Sequence, residues 1–369
     1  MKKVLIFTAG YGEGHNTAAR NVRDALLSVD PACDVEVLDL FESTYGKFND
    51  FVKKAYLMAI NKAPKVWGKI YDLIDRTTAV QSNMIALRKM RNALAALLAA
   101  RQPDAIVCTY PIYHYLIDEL YRDGRPRPFA QVMIITDSLT INSVWVRCHS
   151  DFLLVANEAS ADVLRKIGIA ENKIRVPGFP VTPRFATLKA TRPPMDSVIK
   201  VLFMINSGKD TAPEVVRKLS QRSDIALTVT VGRDEALRRA IAAAASDAPH
   251  PVELHGWTDQ IPELLLSHHL LISKAGGATV QESIASCTPM IITQVVPGQE
   301  EGNARLIVEN ECGALATTPD AIVESVGTAL KNNGALYHRW QANITKLSRP
   351  QASLDIARFV LDLQPTSLH

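Results

Sequence analysis

Short apolar runs alternate with amphipathic stretches along most of the chain. Val4–Thr8, Val35–Leu38, Ala105–Cys108, Gln131–Thr136 and Phe152–Val155 read as buried strands. Between them fall segments with apolar residues three and four apart, for example Ile85–Ala100, which predict helices. That alternation predicts a parallel, doubly wound sheet. The texture changes over Pro177–Pro194, "PGFPVTPRFATLKATRPP", which reads as a proline-rich linker. The alternation then restarts with Ile199–Ile205, Ile225–Val231, Leu270–Ile272 and Met290–Thr293, and "SLDIARFVLDL" near the end reads as a final helix. The expected fold class is α/β, with two Rossmann-like halves facing a cleft. The expected divisions are a first domain over 1–178, a linker over 179–196, a second domain over 197–346, and a C-terminal helix over 347–369 packing back towards the first domain.

Length and composition narrow the picture modestly. At 369 residues, 47% hydrophobic and 21% charged, the chain can bury two separate cores. A net charge of +3 gives no argument for nucleic acid as a partner. The five cysteines are scattered with no C-x-x-C spacing, so neither a zinc site nor a disulfide framework is indicated and a reducing cytosol fits. Met1-Lys2-Lys3 precedes a short apolar run ending in glycines, which reads as a first strand and not a signal peptide. No apolar stretch approaches the roughly 20 residues that span a bilayer.

The first run ends in "TAGYGEGHNTAARNVRDAL", where Gly10, Gly12 and Gly14 precede His15 and a helical pattern begins near Thr17. Three readings compete. A dinucleotide turn would set a pyrophosphate on the helix N-terminus, with Asp39 as the ribose acid. The spacing is G-x-G-x-G-H, however, and an imidazole would occupy phosphate space. The turn can instead present His15 as a base at the carboxyl edge of the sheet, or be a plain glycine-rich turn with a solvated histidine.

The second half is more informative. Leu270–Ile272 runs into Ser273-Lys274-Ala275-Gly276-Gly277, and a helix begins near Ala278. Paired glycines there expose backbone N–H groups at a helix N-terminus, where the dipole attracts an anion such as phosphate. Glu282 lies three residues after Thr279 on the same face, suited to a ribose diol. A surface acid near a helix start is the competing reading. Gln299 and Glu300 follow the next strand, and an amide beside a carboxylate suits sugar hydroxyls.

In order and spacing these stretches resemble the monogalactosyldiacylglycerol synthase and diacylglycerol glucosyltransferase family, enzymes of the GT-B fold. That family is related to the enzyme that adds N-acetylglucosamine to the lipid-linked peptidoglycan precursor. The likeness rests on the G-E-G-H turn, "ITDSLTINSVWV" (Ile135–Val146), "PGFPVTPRF" (Pro177–Phe185), "VGRDEALRRA" (Val231–Ala240) and the stretch from Ser273 to Gly313. It implies an inverting transfer of glucose or galactose from a UDP-sugar to diacylglycerol. His15 would be the general base and Asp137 a second catalytic residue, with Gly12, Gly14 and Thr140 on the acceptor side. The donor would meet Ser207, Lys209, Gly232, Gly276, Gly277, Thr279, Glu282, Gln299, Glu300 and Asn303. The resemblance implies no cofactor and no metal, since no acidic pair of D-x-D type follows a strand. A transferase using UDP-N-acetylglucosamine or a sugar-nucleotide epimerase shares the fold, and an NAD(P)-dependent oxidoreductase is a more remote alternative.

There are departures from the family pattern. "INSGKD" (Ile205–Asp210) has one glycine where the family has several, and Lys209 can partly replace the missing phosphate contact. His269 stands in place of an aspartate and reads as structural, and His114 reads as packed or solvated. An enzyme acting on diacylglycerol implies peripheral attachment to an anionic membrane surface on the cytoplasmic side. Tyr45–Ile74 interleaves Lys47, Lys53, Lys54, Lys62, Lys65 and Lys69 with aromatic residues and is the candidate segment. A pair of ordinary surface helices is the alternative.

Overall fold

A computed structural model describes residues 1–46, 87–298 and 300–364. The basic and aromatic stretch after Tyr45, including all six of its lysines, lies outside the described residues, as does Gln299. The chain divides into two compact units. The first comprises Met1–Pro183, Pro297–Gly302 and Gln351–His369, and the second Arg184–Val296 and Asn303–Pro350.

The first unit is built on six parallel strands, β1 (Lys3–Phe7), β2 (Asp34–Leu38), β3 (Ala105–Cys108), β4 (Ala130–Ile134), β5 (Phe152–Leu154) and β6 (Ile174–Arg175). They lie in the order β2-β1-β3-β4-β5-β6. β1, β3 and β4 are buried on both faces, which is why they read as unbroken apolar runs. Helix Glu13–Val29 covers one face with Ala18, Ala19, Val22, Ala25 and Leu26. The final helix, Ala352–Asp362, joins the same core through Ile356, Ala357 and Val360. Two hydrogen bonds tie the end of this unit's chain in place. Asn21 Nδ2 donates to the Pro180 carbonyl at 2.9 Å, and Ser353 Oγ donates to that of Val181.

The second unit holds β7 (Ile199–Met204), β8 (Ile225–Thr230), β9 (Glu253–His255), β10 (Leu270–Ser273), β11 (Met290–Ile292) and β12 (Gly313–Leu315). Their order is β12-β11-β10-β7-β8-β9, again all parallel.

The stretch 179–196 is divided, and it is not a free connector. The chain passes from one unit to the other at Pro183, and Arg184–Thr187 is already helical. Beyond it Arg192 is held inside the second unit. Its Nε donates to the His268 carbonyl at 2.6 Å, and its Nη2 to the Ser286 carbonyl at 3.0 Å and Thr288 Oγ1 at 2.8 Å. A buried guanidinium is tolerated there because it meets carbonyls at helix C-termini, where the dipole favours a cation.

Both sheets have a point where strand order reverses: between β1 and β3 in the first, and between β7 and β10 in the second. In open α/β sheets, ligands bind at the carboxyl ends of the strands at such a point. Both glycine-rich turns sit there.

Candidate active site

In the first unit the turn between β1 and its helix is fixed by Asp39. One carboxylate oxygen accepts from Gly10 N at 2.9 Å, and the other from Phe41 N at 2.9 Å and Glu42 N at 3.3 Å. The acid that a dinucleotide reading would place on a ribose is therefore spent on the backbone of the turn itself. Gly12 is the N-cap of helix Glu13–Val29, and His15 falls in its first turn. A Cβ at Gly14 would meet no heavy atom within 4 Å, so the turn leaves open space beside the histidine.

His15 is half-buried. Its Nδ1 lies 2.9 Å from the Thr109 carbonyl and 2.9 Å from Thr136 Oγ1. The Tyr110 ring stands edge-on, 5.2 Å away between centroids, and the Trp145 indole lies at 6.0 Å. Burial lowers the His15 pKa to about 4, with the hydrogen bond to the Thr109 carbonyl acting in the opposite direction. The imidazole is neutral at pH 7. Asp137 was expected as a second catalytic residue, in a segment on the acceptor side. Its Oδ2 accepts from Trp145 Nε1 at 2.7 Å, and threonine oxygens meet His15 Nδ1.

Thr140 follows a tight turn. Its N–H reaches the Ser138 carbonyl at 2.6 Å, and Leu139 between them has φ 58°, unusual for a leucine. Gly302, which groups with this unit, lies against the same turn. A Cβ there would stand 1.7 Å from the Ser138 carbonyl oxygen and 2.7 Å from Thr140 Oγ1. Sequence reading missed this residue, because the contact joins positions far apart in the chain. Gly302→Ala must displace backbone, at a cost of about 1–3 kcal/mol. We expect a lower melting temperature and at least a tenfold fall in activity. Unchanged melting and activity would show that the turn yields easily.

In the second unit, helix Gly277–Ala285 starts directly after β10, with Gly276 as its N-cap. Lys274 lies over this N-terminus, its Nζ 3.2 Å from where a Gly276 Cβ would stand. Sequence reading named the glycines and not this lysine. An anionic group bound at this N-terminus would meet both the positive end of the helix dipole and this ammonium. Asn303 is buried, and its Nδ2 donates to the Ala275 carbonyl at 3.2 Å, fixing the glycine turn from behind. Thr279 and Glu282 lie on this helix. Glu282 is half-buried and burial raises its pKa to about 7.

The facing loop after β7 carries Ser207, whose Oγ is buried without a hydrogen-bond partner among the described residues. Asn206 Nδ2 reaches Ser273 Oγ at 3.4 Å, so the loop after β7 touches the end of β10. Lys209, expected to supply a phosphate contact, has its Nζ 2.5 Å from Asp234 Oδ2. That carboxylate also caps helix Glu235–Ala244 through Leu237 N, just after Gly232 at φ 63°. Glu300 is buried and groups with the first unit. His269 and His114 are packed. His269 accepts from Lys200 N at 3.0 Å and donates to the Pro193 carbonyl at 2.9 Å, while His114 Nδ1 meets Ser150 Oγ at 2.7 Å.

Comparison with known proteins agrees with this division. Residues 15–181 match the monogalactosyldiacylglycerol (MGDG) synthase family model, and residues 205–347 match that of glycosyl transferases group 1. The chain is 24% identical over 368 residues to the processive diacylglycerol beta-glucosyltransferase of Bacillus subtilis, covering 98% of this chain and 95% of that one. It is 25% identical to monogalactosyldiacylglycerol synthase 2, chloroplastic, of Arabidopsis thaliana, covering 98% and 81%. Among solved structures, MurG of Acinetobacter baumannii superposes with a TM-score of 0.66 at 15% identity, covering 98% of this chain and 100% of that one. With two parallel six-stranded sheets and these two matching domains, the chain is a glycosyltransferase of the GT-B fold whose first domain is similar to the monogalactosyldiacylglycerol synthase family.

Proposed function

We propose that the protein transfers a hexose, glucose or galactose, from a UDP-sugar to the free hydroxyl of diacylglycerol, with inversion at the anomeric carbon. The product is a β-glycosyldiacylglycerol, made by a peripheral enzyme on the cytoplasmic face of an anionic membrane. The observation that carries this reading is His15: neutral, half-buried, and hydrogen-bonded through Nδ1 to a carbonyl, which leaves Nε2 as the basic nitrogen. The substrate class is that of the diacylglycerol glycosyltransferases to which the chain is similar over nearly all its length.

The chemistry is one displacement. Nε2 takes the proton of the acceptor hydroxyl while its oxygen bonds to the anomeric carbon. The bond from that carbon to the β-phosphate oxygen breaks, and the electron pair leaves on UDP. The transition state has oxocarbenium character, as in other glycosyl chemistry. Negative charge growing on the diphosphate is met by the amides opening helix Gly277–Ala285 and by Lys274. Glu282 accepts hydrogen bonds from the ribose diol, and Asn303 holds the glycine turn through Ala275. Thr279 and the Ser207 hydroxyl, which lacks a protein partner among the described residues, complete the donor side.

Incubation with radiolabelled UDP-glucose or UDP-galactose and diacylglycerol, followed by lipid extraction, tests this directly. Label should enter the lipid phase as a β-glycoside, and equally well in EDTA, because protein cations and amides neutralise the leaving group. Label retained only in water-soluble products overturns the acceptor assignment. Loss of transfer in EDTA, restored by manganese or magnesium, overturns the metal-free step.

A further inference from the structure

Among the described residues no carboxylate meets Nδ1 of the base, yet it is gripped at several points. Thr109 holds it twice, with its carbonyl at the ring nitrogen and its Oγ1 donating to the His15 backbone carbonyl at 3.1 Å. Thr136 Oγ1 makes a further contact at the same ring nitrogen, at 2.9 Å. Thr109 is fully buried and Thr136 nearly so, at 0% and 7% exposure, so water does not compete for these contacts.

The proton on this ring can be assigned by elimination. A carbonyl oxygen only accepts. An unprotonated Nδ1 facing the Thr109 carbonyl at 2.9 Å would set lone pair against lone pair. Nδ1 therefore carries the hydrogen and shares it between the carbonyl and the Thr136 hydroxyl oxygen. The orientation of that hydroxyl follows, its own hydrogen turned away from the ring.

We infer that Thr136, together with the Thr109 carbonyl, is the positioning group for His15: the two oxygens fix the Nδ1–H tautomer and stabilise the imidazolium that forms when Nε2 takes the acceptor proton. This rests on the reading of His15 as the base. In many histidine bases an acid fills this place, fixing the tautomer and balancing the charge. Here two uncharged oxygens fill it. They are weaker partners for a cation, but they add no charge of their own to a site that must expel a diphosphate. Thr109 cannot be tested cleanly, because a backbone carbonyl survives every substitution. Thr136 can.

Thr136→Val keeps the shape and removes the oxygen. It should lower kcat roughly 10- to 100-fold, the scale of one hydrogen bond to a charged group. The KM values for UDP-glucose and diacylglycerol should stay within about twofold, and Thr136→Ser should restore most of the rate. In a His15→Ala background Thr136→Val should have no further effect on the residual rate. Independently of any variant, nitrogen-15 spectra of histidine-labelled wild type should show His15 protonated at Nδ1. Protonation at Nε2, or wild-type kcat for Thr136→Val, overturns the proposal. So does an equal loss in the valine and serine variants. Full activity of His15→Ala would instead overturn the base itself, so the two failures are distinguishable.

Discussion

His15→Ala should lower kcat by roughly 10²–10⁴-fold, the usual contribution of a positioned general base, while UDP affinity stays close to wild type. The split follows from where the residues sit. His15 belongs to the first unit, whereas the glycine helix and Glu282 belong to the second. The base also predicts an unusual pH profile. A solvated imidazole titrates near 6.5, but burial lowers that of His15 to about 4. It must be neutral to accept a proton, so activity is lost only when the pH falls through about 4. The kcat measured at saturating donor should stay level from neutral pH down to about 5. An acid limb near 6.5, or a collapse of UDP affinity with turnover intact, would remove His15 from this role.

Much of this was legible in the sequence, for reasons that can be named. Strands buried on both faces cannot alternate polar and apolar residues, so Ala105–Cys108 and Ile225–Thr230 stand out as unbroken runs. The strands that were missed are β6, β9 and β12, and all three are sheet edges of two or three residues. "ELH" and "GAL" carry too little apolar pattern to be seen. The predicted helix at Ile85–Ala100 is described over Arg88–Arg101.

The site divides the same way. Residues local to a turn, such as Gly12, His15, Gly276 and Glu282, announce themselves by spacing. Thr109 and Thr136 do not. They reach His15 from the ends of other strands, 94 and 121 residues along the chain. A threonine just past a strand has no signature of its own, because only the fold decides which neighbour it meets. Asp137, next to Thr136 in sequence, has its carboxylate on the Trp145 indole, a partner that spacing alone does not announce. The Lys209 ammonium likewise meets an acid from the loop after β8, a neighbour only the fold reveals.

Glu282→Ala should weaken UDP and UDP-glucose alike, by about 1.5–3 kcal/mol for lost hydrogen bonds to a charged acceptor. Glu300→Ala should instead spare UDP and penalise only the sugar-bearing donor. Glu282 also makes donor binding sensitive to pH, with a definite sign. Burial raises its pKa from 4.5 to about 7, so near neutrality part of the free enzyme carries it protonated. Ribose hydroxyls donate to the carboxylate and favour the ionised form, so binding lowers this pKa and releases a proton. Affinity should therefore rise as pH rises from about 6 to 8. UDP-glucose is the ligand to use, because it lacks the terminal phosphate of UDP that titrates in the same range. Calorimetry in two buffers of different ionisation enthalpy counts the released proton directly. Glu282→Gln has no proton to lose, so its affinity should be lower at pH 8 and level across the range. A glutamine variant that keeps the wild-type slope would show that another group titrates, and the ribose contact would have to be sought elsewhere along helix Gly277–Ala285.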